Sequence, residues 1–197
     1  MSFDGPYGVY HSQYDNHQWV SRIGDPGFRY HEAMTKLWGV MALRLANAES
    51  LPLDYRPYAT RIGEFAAVVQ KRWTDRTDRT GDADPAFARL HEAVTGLRAA
   101  ADRAFDAQSA AIASRSAEGL TAVNRKLMQA ERALLDPAGI PGRPWYRHQI
   151  YAPKYTYAPE LLPGVAEAVA TGDGAKVTEQ IDRLIAALQR AAMVLGN

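Results

Sequence analysis

Tyr10 and His11 are the first side chains in this 197-residue chain whose types and placing could do chemistry. They stand together in MSFDGPYGVYHSQYD, a segment crowded with glycine, proline and aromatics, ahead of the first helical pattern. A chain turn there can present an imidazole, although metal ligands come in clusters and a lone histidine is more often a surface residue. His31-Glu32 lies in a helical pattern but lacks a second histidine four residues on, so it is not the paired histidine of a helical metallopeptidase. His17 and His91 are each alone on helical segments. Glu64, Glu92, Glu131 and Glu179 have Arg or Lys within about a turn, as solvated helix faces do. Ser12 follows His11 with no glycine elbow and no acid partner, which leaves a hydrolase triad unsupported. The sequence has no glycine-rich phosphate loop, and its lack of cysteine excludes disulfides and thiolate chemistry.

Overall charge narrows the partners. With 23 Lys and Arg against 22 Asp and Glu, the net charge of +1 gives no electrostatic reason to expect nucleic acid or an anionic membrane. A hydrophobic share of 47% is enough to bury the core of one domain. No apolar run approaches the roughly 20 residues of a membrane span. The first residues have neither a basic start nor an apolar stretch, so they are not a signal peptide. They read instead as a cut made inside a longer protein.

The elements that must position these residues are helices. Asp25-Pro26 reads as a cap followed by proline at the first helical position. The segment from Gly27 to about Asn47 carries Phe28, Met34, Leu37, Trp38, Val40, Met41, Leu43 and Leu45 on several sides, which predicts a central, buried helix. A second helix over about 54–73 has one apolar stripe through Tyr55, Tyr58, Ile62, Phe65, Val69 and Trp73. The charged run TDRTDRTGDAD reads as a solvated connection closed by a second cap-and-proline start at Asp84-Pro85. The third helix places Phe87, Leu90, Val94, Leu97, Ala101, Phe105 and Gln108 on one face, and the fourth, about 117–135, repeats Leu120, Val123, Leu127, Ala130 and Leu134. Residues 136–163 form a long irregular stretch with six prolines and the aromatics Trp145, Tyr146, Tyr151, Tyr155 and Tyr157. Such loops are usually functional or packed against something else. A short helix near 160–170 and a last one through Val177, Ile181, Leu184, Leu188, Ala191 and Leu195 complete the pattern. The fold class is all-α: an antiparallel bundle of about four long helices plus shorter ones, with a long irregular loop rich in proline and aromatics.

Two ordered sets of residues carry a family resemblance. Tyr10-His11-Ser12-Gln13-Tyr14-Asp15 is followed by Asp25-Pro26-Gly27-Phe28-Arg29-Tyr30-His31, Leu45-Ala46-Asn47 and Leu51-Pro52. Further on stand Asn124, Leu127-Met128, Glu131-Arg132-Ala133, Asp136-Pro137, Gly139, Pro141, Arg143-Pro144, Tyr146-Arg147-His148, Ile150-Tyr151-Ala152-Pro153 and Leu162-Pro163-Gly164. In this order they resemble the C-terminal part of glutamate carboxypeptidase II and its relatives, a family that includes the non-catalytic transferrin receptor.

The resemblance implies that residues 1–24 are the tail of a peptidase domain lying upstream and that 25–197 are a helical homodimerisation domain. It makes His11 a metal ligand completing a two-zinc site in the full-length parent, with Tyr10 reaching the scissile centre and the substrate's terminal carboxylate. The remaining ligands and the general base would lie upstream, so the fragment alone is expected to bind no zinc and to be inactive. The family's substrate-binding Lys-Tyr pair maps in two ways, either with Tyr157 as the tyrosine and Thr156 in place of lysine, or with Lys154-Tyr155. Expected partners are a second copy, the upstream peptidase domain and, in the parent, a peptide substrate. The parent would be a zinc exopeptidase, secreted, periplasmic or membrane-anchored; the other reading is a transferrin-receptor-like scaffold without catalysis. Self-association is also suggested by the apolar 27–47 helix and by Trp38 and Trp73, rings that a monomer must cover.

Overall fold

The computed structural model describes residues 8–77, 84–154 and 158–196. Two compact units emerge, Met1–Glu49 and Ser50–Asn197. The junction at 24/25 that the family resemblance implies lies inside the first of these units.

In the first unit, the side chain of Asn16 accepts the N–H of Trp19 at 3.1 Å and caps the short helix α1 (His17–Trp19), which continues as a wider π-helical turn, Val20–Gly24. The next helix, α2 (Arg29–Ala46), begins later than the Asp-Pro signal predicts. Phe28 donates its N–H to the Asp25 carbonyl at 2.8 Å and adopts a left-handed backbone with φ 56°, so residues 25–28 form a turn rather than a first helical turn. Asp25 still caps, from further back. Its carboxylate accepts the N–H groups of Tyr30 at 3.1 Å and His31 at 3.0 Å, two of the donors that a helix start leaves without partners. None of the α2 residues is buried. The expectation of a central helix is thus corrected: a helix apolar on all sides needs covering, but the hydropathy pattern does not say by what.

The second unit is the bundle. Its chain is pinned at the point of entry, where the buried Gln108 donates to the Leu51 carbonyl at 2.6 Å and to Ser50 Oγ at 2.9 Å. The N–H of Leu51 in turn donates to Asn124 Oδ1 at 2.9 Å. From there α3 (Tyr55–Thr77) buries Ala59, Ile62, Ala66, Val69 and Trp73. Trp73 was a ring whose covering was in question, and this unit provides it: the indole is buried and donates to Asp84 Oδ2 at 3.0 Å. The other oxygen of Asp84 accepts the N–H of Ala86 at 3.0 Å and starts α4 (Pro85–Ala113), with proline where its missing N–H costs nothing. The connection 78–83 lies outside the described residues.

Ser116 caps α5 (Ala117–Ala133), and α6 (Pro163–Thr171) and α7 (Gly174–Gly196) close the unit. The most extensive contact is α4 on α7, flanked by α3 on α4 and α5 on α7. Phe87, Leu90, Leu97, Ile181, Leu184 and Leu188 are at most 1% exposed. Each such side chain contributes on the order of 2 kcal/mol by leaving water. The all-α bundle is as expected.

The stretch between α5 and α6 is irregular but held. Arg190 donates to the carbonyls of Ala133 at 3.3 Å and Leu135 at 3.0 Å, and Arg183 pairs with Asp136 at 3.0 Å. Gly139 has φ +70°, and a Cβ there would lie 2.3 Å from the Pro144 carbonyl oxygen, so only glycine fits. Two short strands, β1 (Tyr151–Pro153) and β2 (Pro159–Leu161), pair antiparallel with Ala152 opposite Glu160. Arg143 holds this end by donating to the Pro153 carbonyl and pairing with Glu167. Three-residue strands that each include a proline leave too weak an alternation to be read from sequence.

Candidate functional site

Tyr10 and His11 occupy a tight run of turns. Ser12 donates its N–H to the Val9 carbonyl at 2.9 Å, Asp15 to the Ser12 carbonyl at 3.1 Å, and Tyr14 to Ser12 Oγ at 3.1 Å. This puts His11 at φ 61°, a left-handed backbone that side chains with a Cβ seldom adopt and that is concentrated at functional positions. The phenol and imidazole rings stack at 3.9 Å between centroids and 20° between planes, and both residues are exposed. Ser12 is therefore a turn-former, in keeping with the absence of a triad.

An exposed imidazole can ligate a metal, and a phenol beside it can donate a hydrogen bond. Among the described residues no group of three or more His, Cys, Asp or Glu could hold a metal ion. His11 by itself offers a single imidazole donor.

Asp25 and His31 make a second polar constellation in the same unit. His31 Nδ1 lies 2.6 Å from Asp25 Oδ2, with the carboxylate buried and the imidazole largely exposed. Burial pushes the Asp25 carboxyl upward, but the hydrogen bonds from the His31 ring and from the His31 and Tyr30 N–H groups outweigh it and bring the carboxyl down to about 2. His31 is thus a capping partner as well as a helix-surface histidine. Nothing in residue spacing alone announced the pair.

Lys154 sits at the end of β1, in the other unit from Tyr10 and His11, and its Nζ lies 3.3 Å from Glu160 Oε2 across the hairpin. Glu160 also lies 4.0 Å from Arg72. The candidates Tyr155 and Tyr157 lie outside the described residues.

Glu131, read from sequence as part of a solvated face, is instead a hub. It stands 2.8 Å from His148 Nε2 and 3.5 Å from the Tyr58 hydroxyl. The Tyr151 ring lies between those of Tyr58, at 6.2 Å, and His148, at 5.9 Å. His148 Nδ1 faces the N–H groups of Ile150 at 3.2 Å and Tyr151 at 3.3 Å. That ring nitrogen accepts, which leaves Nε2 as the donor to Glu131. Burial first, and then the Glu131 carboxylate, push the Tyr55 phenol up to about 12 and those of Tyr58 and Tyr151 upward too. Phenols held this firmly neutral act as packing and hydrogen-bonding groups, so the cluster ties α3, α5 and the hairpin together. Arg132, one residue on, made Glu131 look like an ordinary surface pair.

With this geometry in hand, the likeness to known proteins is specific. The sequence model of the transferrin receptor-like dimerisation domain matches residues 85–196. The chain belongs to that family. A probable glutamate carboxypeptidase of Arabidopsis thaliana is 36% identical over 207 residues, covering 99% of this chain and 28% of its own length. An aminopeptidase of Mus musculus is 29% identical, with 96% of this chain and 26% of its own length covered. An inactive zinc metalloprotease of Schizosaccharomyces pombe is 25% identical over 90% of this chain and 23% of its own length. The chain thus spans about a quarter of these relatives. The chain therefore carries a transferrin receptor-like dimerisation domain, and the relatives that it resembles over nearly its whole length include probable glutamate carboxypeptidases, in line with the ordered motifs. The first compact unit lies outside the family match yet inside the match to the carboxypeptidase.

Proposed function

We propose that this chain is the homodimerising and active-site-completing part of a zinc-dependent exopeptidase, inactive as an isolated fragment. The observation that carries the reading is the Tyr10-His11 turn, an imidazole and a phenol stacked on a backbone that a histidine rarely adopts. In the parent, His11 would donate one ring nitrogen to a two-zinc site, and the Tyr10 hydroxyl would donate to charge developing on a substrate oxygen. Zinc, when bound, acidifies water and polarises a carbonyl. One histidine is too few for a catalytic site, which takes about three protein ligands, so the fragment alone holds no tight zinc. Lys154, Tyr155 and Tyr157 are the candidates for contacting a substrate carboxylate. The partners are a second copy, an upstream peptidase domain in the same chain and, for the parent, a peptide. Among the described residues no helix is long and apolar enough to cross a membrane.

The test uses the longer product of the same reading frame. His11→Ala should lower its zinc content and cut peptidase activity by more than about a hundredfold, beyond the loss typical of groups that only support a ligand. Tyr10→Phe should lower kcat by about a hundredfold, as for a lost oxyanion donor. Unchanged zinc and activity in His11→Ala would reject the role. The second reading, a scaffold without catalysis, is favoured by the likeness to a relative described as inactive. A longer product that binds no zinc and cleaves no peptide would establish it.

A further inference from the structure

Within the bundle unit, Glu131 carries a charge that no Lys or Arg answers among the described residues. Its oxygens meet His148 Nε2 at 2.8 Å and the Tyr58 hydroxyl at 3.5 Å. With Nδ1 accepting backbone N–H groups, that imidazole is a neutral donor, as is the phenol. The other acids nearby are matched. Arg56 pairs with Asp54 at 2.7 Å, and Arg61, whose field reaches Tyr151, pairs with Glu64 at 2.5 Å. The Glu131 side chain is half-exposed, so its charge is open to a ligand.

A cleft of about 350 Å³ opens at this point, lined among others by Leu53, Asp54, Tyr55, Tyr58, Glu131 and Tyr151. That is the lower end of the size range of small-molecule sites. The rings of Tyr55 and Tyr58 stand 5.9 Å apart at 68°, as two walls of a corner, and Tyr151 lies 6.2 Å from Tyr58 at 26°. Tyr55 donates its hydroxyl to the Leu127 carbonyl at 2.8 Å, and the Tyr58 hydroxyl is engaged with Glu131. What these residues offer the cleft is therefore ring surface. Burial first, then the Glu131 charge, raises all three phenols, so the rings stay neutral and lie within reach of the carboxylate's field.

These walls select one kind of ligand. An anion would meet Glu131, and an uncharged apolar molecule would strip water from that carboxylate without replacing it. A metal ion needs several hard ligands, and no group of three or more His, Cys, Asp or Glu stands here among the described residues. An alkylated ammonium satisfies both parts of the lining, because its charge is attracted to aromatic rings and to a carboxylate while its carbon shell is weakly hydrated. We propose that this cleft binds a small organic ammonium ion, with its charged head beside Glu131 and its alkyl groups against Tyr55, Tyr58 and Tyr151. The site lies wholly within the second compact unit, on α3, α5 and β1, and does not depend on any peptidase activity.

Titrating the 197-residue chain with choline chloride at constant ionic strength, followed by the NMR shifts of the tyrosine ring protons, tests this. Choline should saturate those shifts with a Kd on the order of millimolar. The neutral alcohol in which carbon replaces the choline nitrogen has the same shape without the charge, and should bind at least about tenfold more weakly. Glu131→Gln keeps an acceptor for His148 and Tyr58; it should weaken choline about tenfold and leave the alcohol within about twofold. Tyr151→Leu should weaken choline severalfold. Circular dichroism melts establish that both variants fold, and the comparison of the two ligands needs no variant at all. Equal affinity for choline and the alcohol would overturn the proposal and leave only an apolar cleft. So would an absence of saturation by choline up to about 100 mM. Undiminished choline binding by a folded Glu131→Gln chain would overturn it as well.

Discussion

The helices α2 and α7, one from each compact unit, are both rich in large apolar residues, and they use that apolarity in opposite ways. In α7, Val177, Ile181, Leu184, Leu188, Ala191 and Leu195 recur at three- and four-residue spacing, and all are buried. In α2, large apolar residues fall on almost every side, and none is buried. A narrow stripe specifies one neighbour on one side, and that neighbour is within the same sequence. A full circumference specifies neighbours all round, and the described residues of the first unit do not bury this helix. Apolar content therefore measures how much covering a helix needs, whereas its angular distribution tells from how many directions the covering comes.

The comparison breaks most directly by truncating matched leucines. Leu188→Ala should destabilise the 197-residue chain by about 3 kcal/mol, the usual cost of a cavity at a fully enclosed leucine. Leu45→Ala, at a half-exposed position of α2, should cost less than about 0.5 kcal/mol. Urea midpoints followed by circular dichroism measure both. Equal losses would show that α2 contributes to the cooperative core and that the contrast is false.

A smaller effect sharpens the boundary of the rigid unit. Gly139→Ala adds a methyl 2.3 Å from a backbone oxygen at φ +70°, and should cost about 2 kcal/mol by strain alone. The penalty should appear in the same cooperative transition as Leu188→Ala, because the loop is tied to α7 through Arg183 and Arg190. A separate, earlier transition would mean that the 134–163 stretch unfolds independently of the bundle.

These contrasts also explain what was legible. The faces of α3, α4, α5 and α7 could be read residue by residue, because burial on one side imposes a period of 3.6 that composition cannot hide. Trp73 needs covering by its size alone, but that the bundle core covers it and that Asp84 accepts its N–H could not be read, because Asp84 lies across a connection with no periodic signal. The β1–β2 hairpin, the Glu131 hub and the late start of α2 all depend on contacts between residues that no short-range rule relates. Tyr10 and His11 were singled out by their loop context and by resemblance. The left-handed backbone at His11 left no trace in composition, since glycine or asparagine would be the usual occupant.

The least disruptive test changes no residue at all. Asp25 has its carboxyl brought to about 2, against 3.8 for an unperturbed aspartate. A depressed carboxyl stabilises the folded form above the unfolded value, and the contribution disappears as pH falls through the folded one. The start of α2 should therefore be fully capped above about pH 4, and should lose its anchor progressively down to about pH 2. His31 contributes most of that lowering, because its ring and its N–H both address the carboxylate that is being neutralised. Exchange of the Tyr30 and His31 amides, corrected for intrinsic rates, should rise severalfold over that interval. Amides in the middle of α2, which Asp25 does not touch, should change less. In Asp25→Asn the same amides should exchange fast at every pH and show no corresponding step. A step that persists in Asp25→Asn would assign it to another carboxylate, and the two-residue cap would then be ordinary backbone geometry with no electrostatic share.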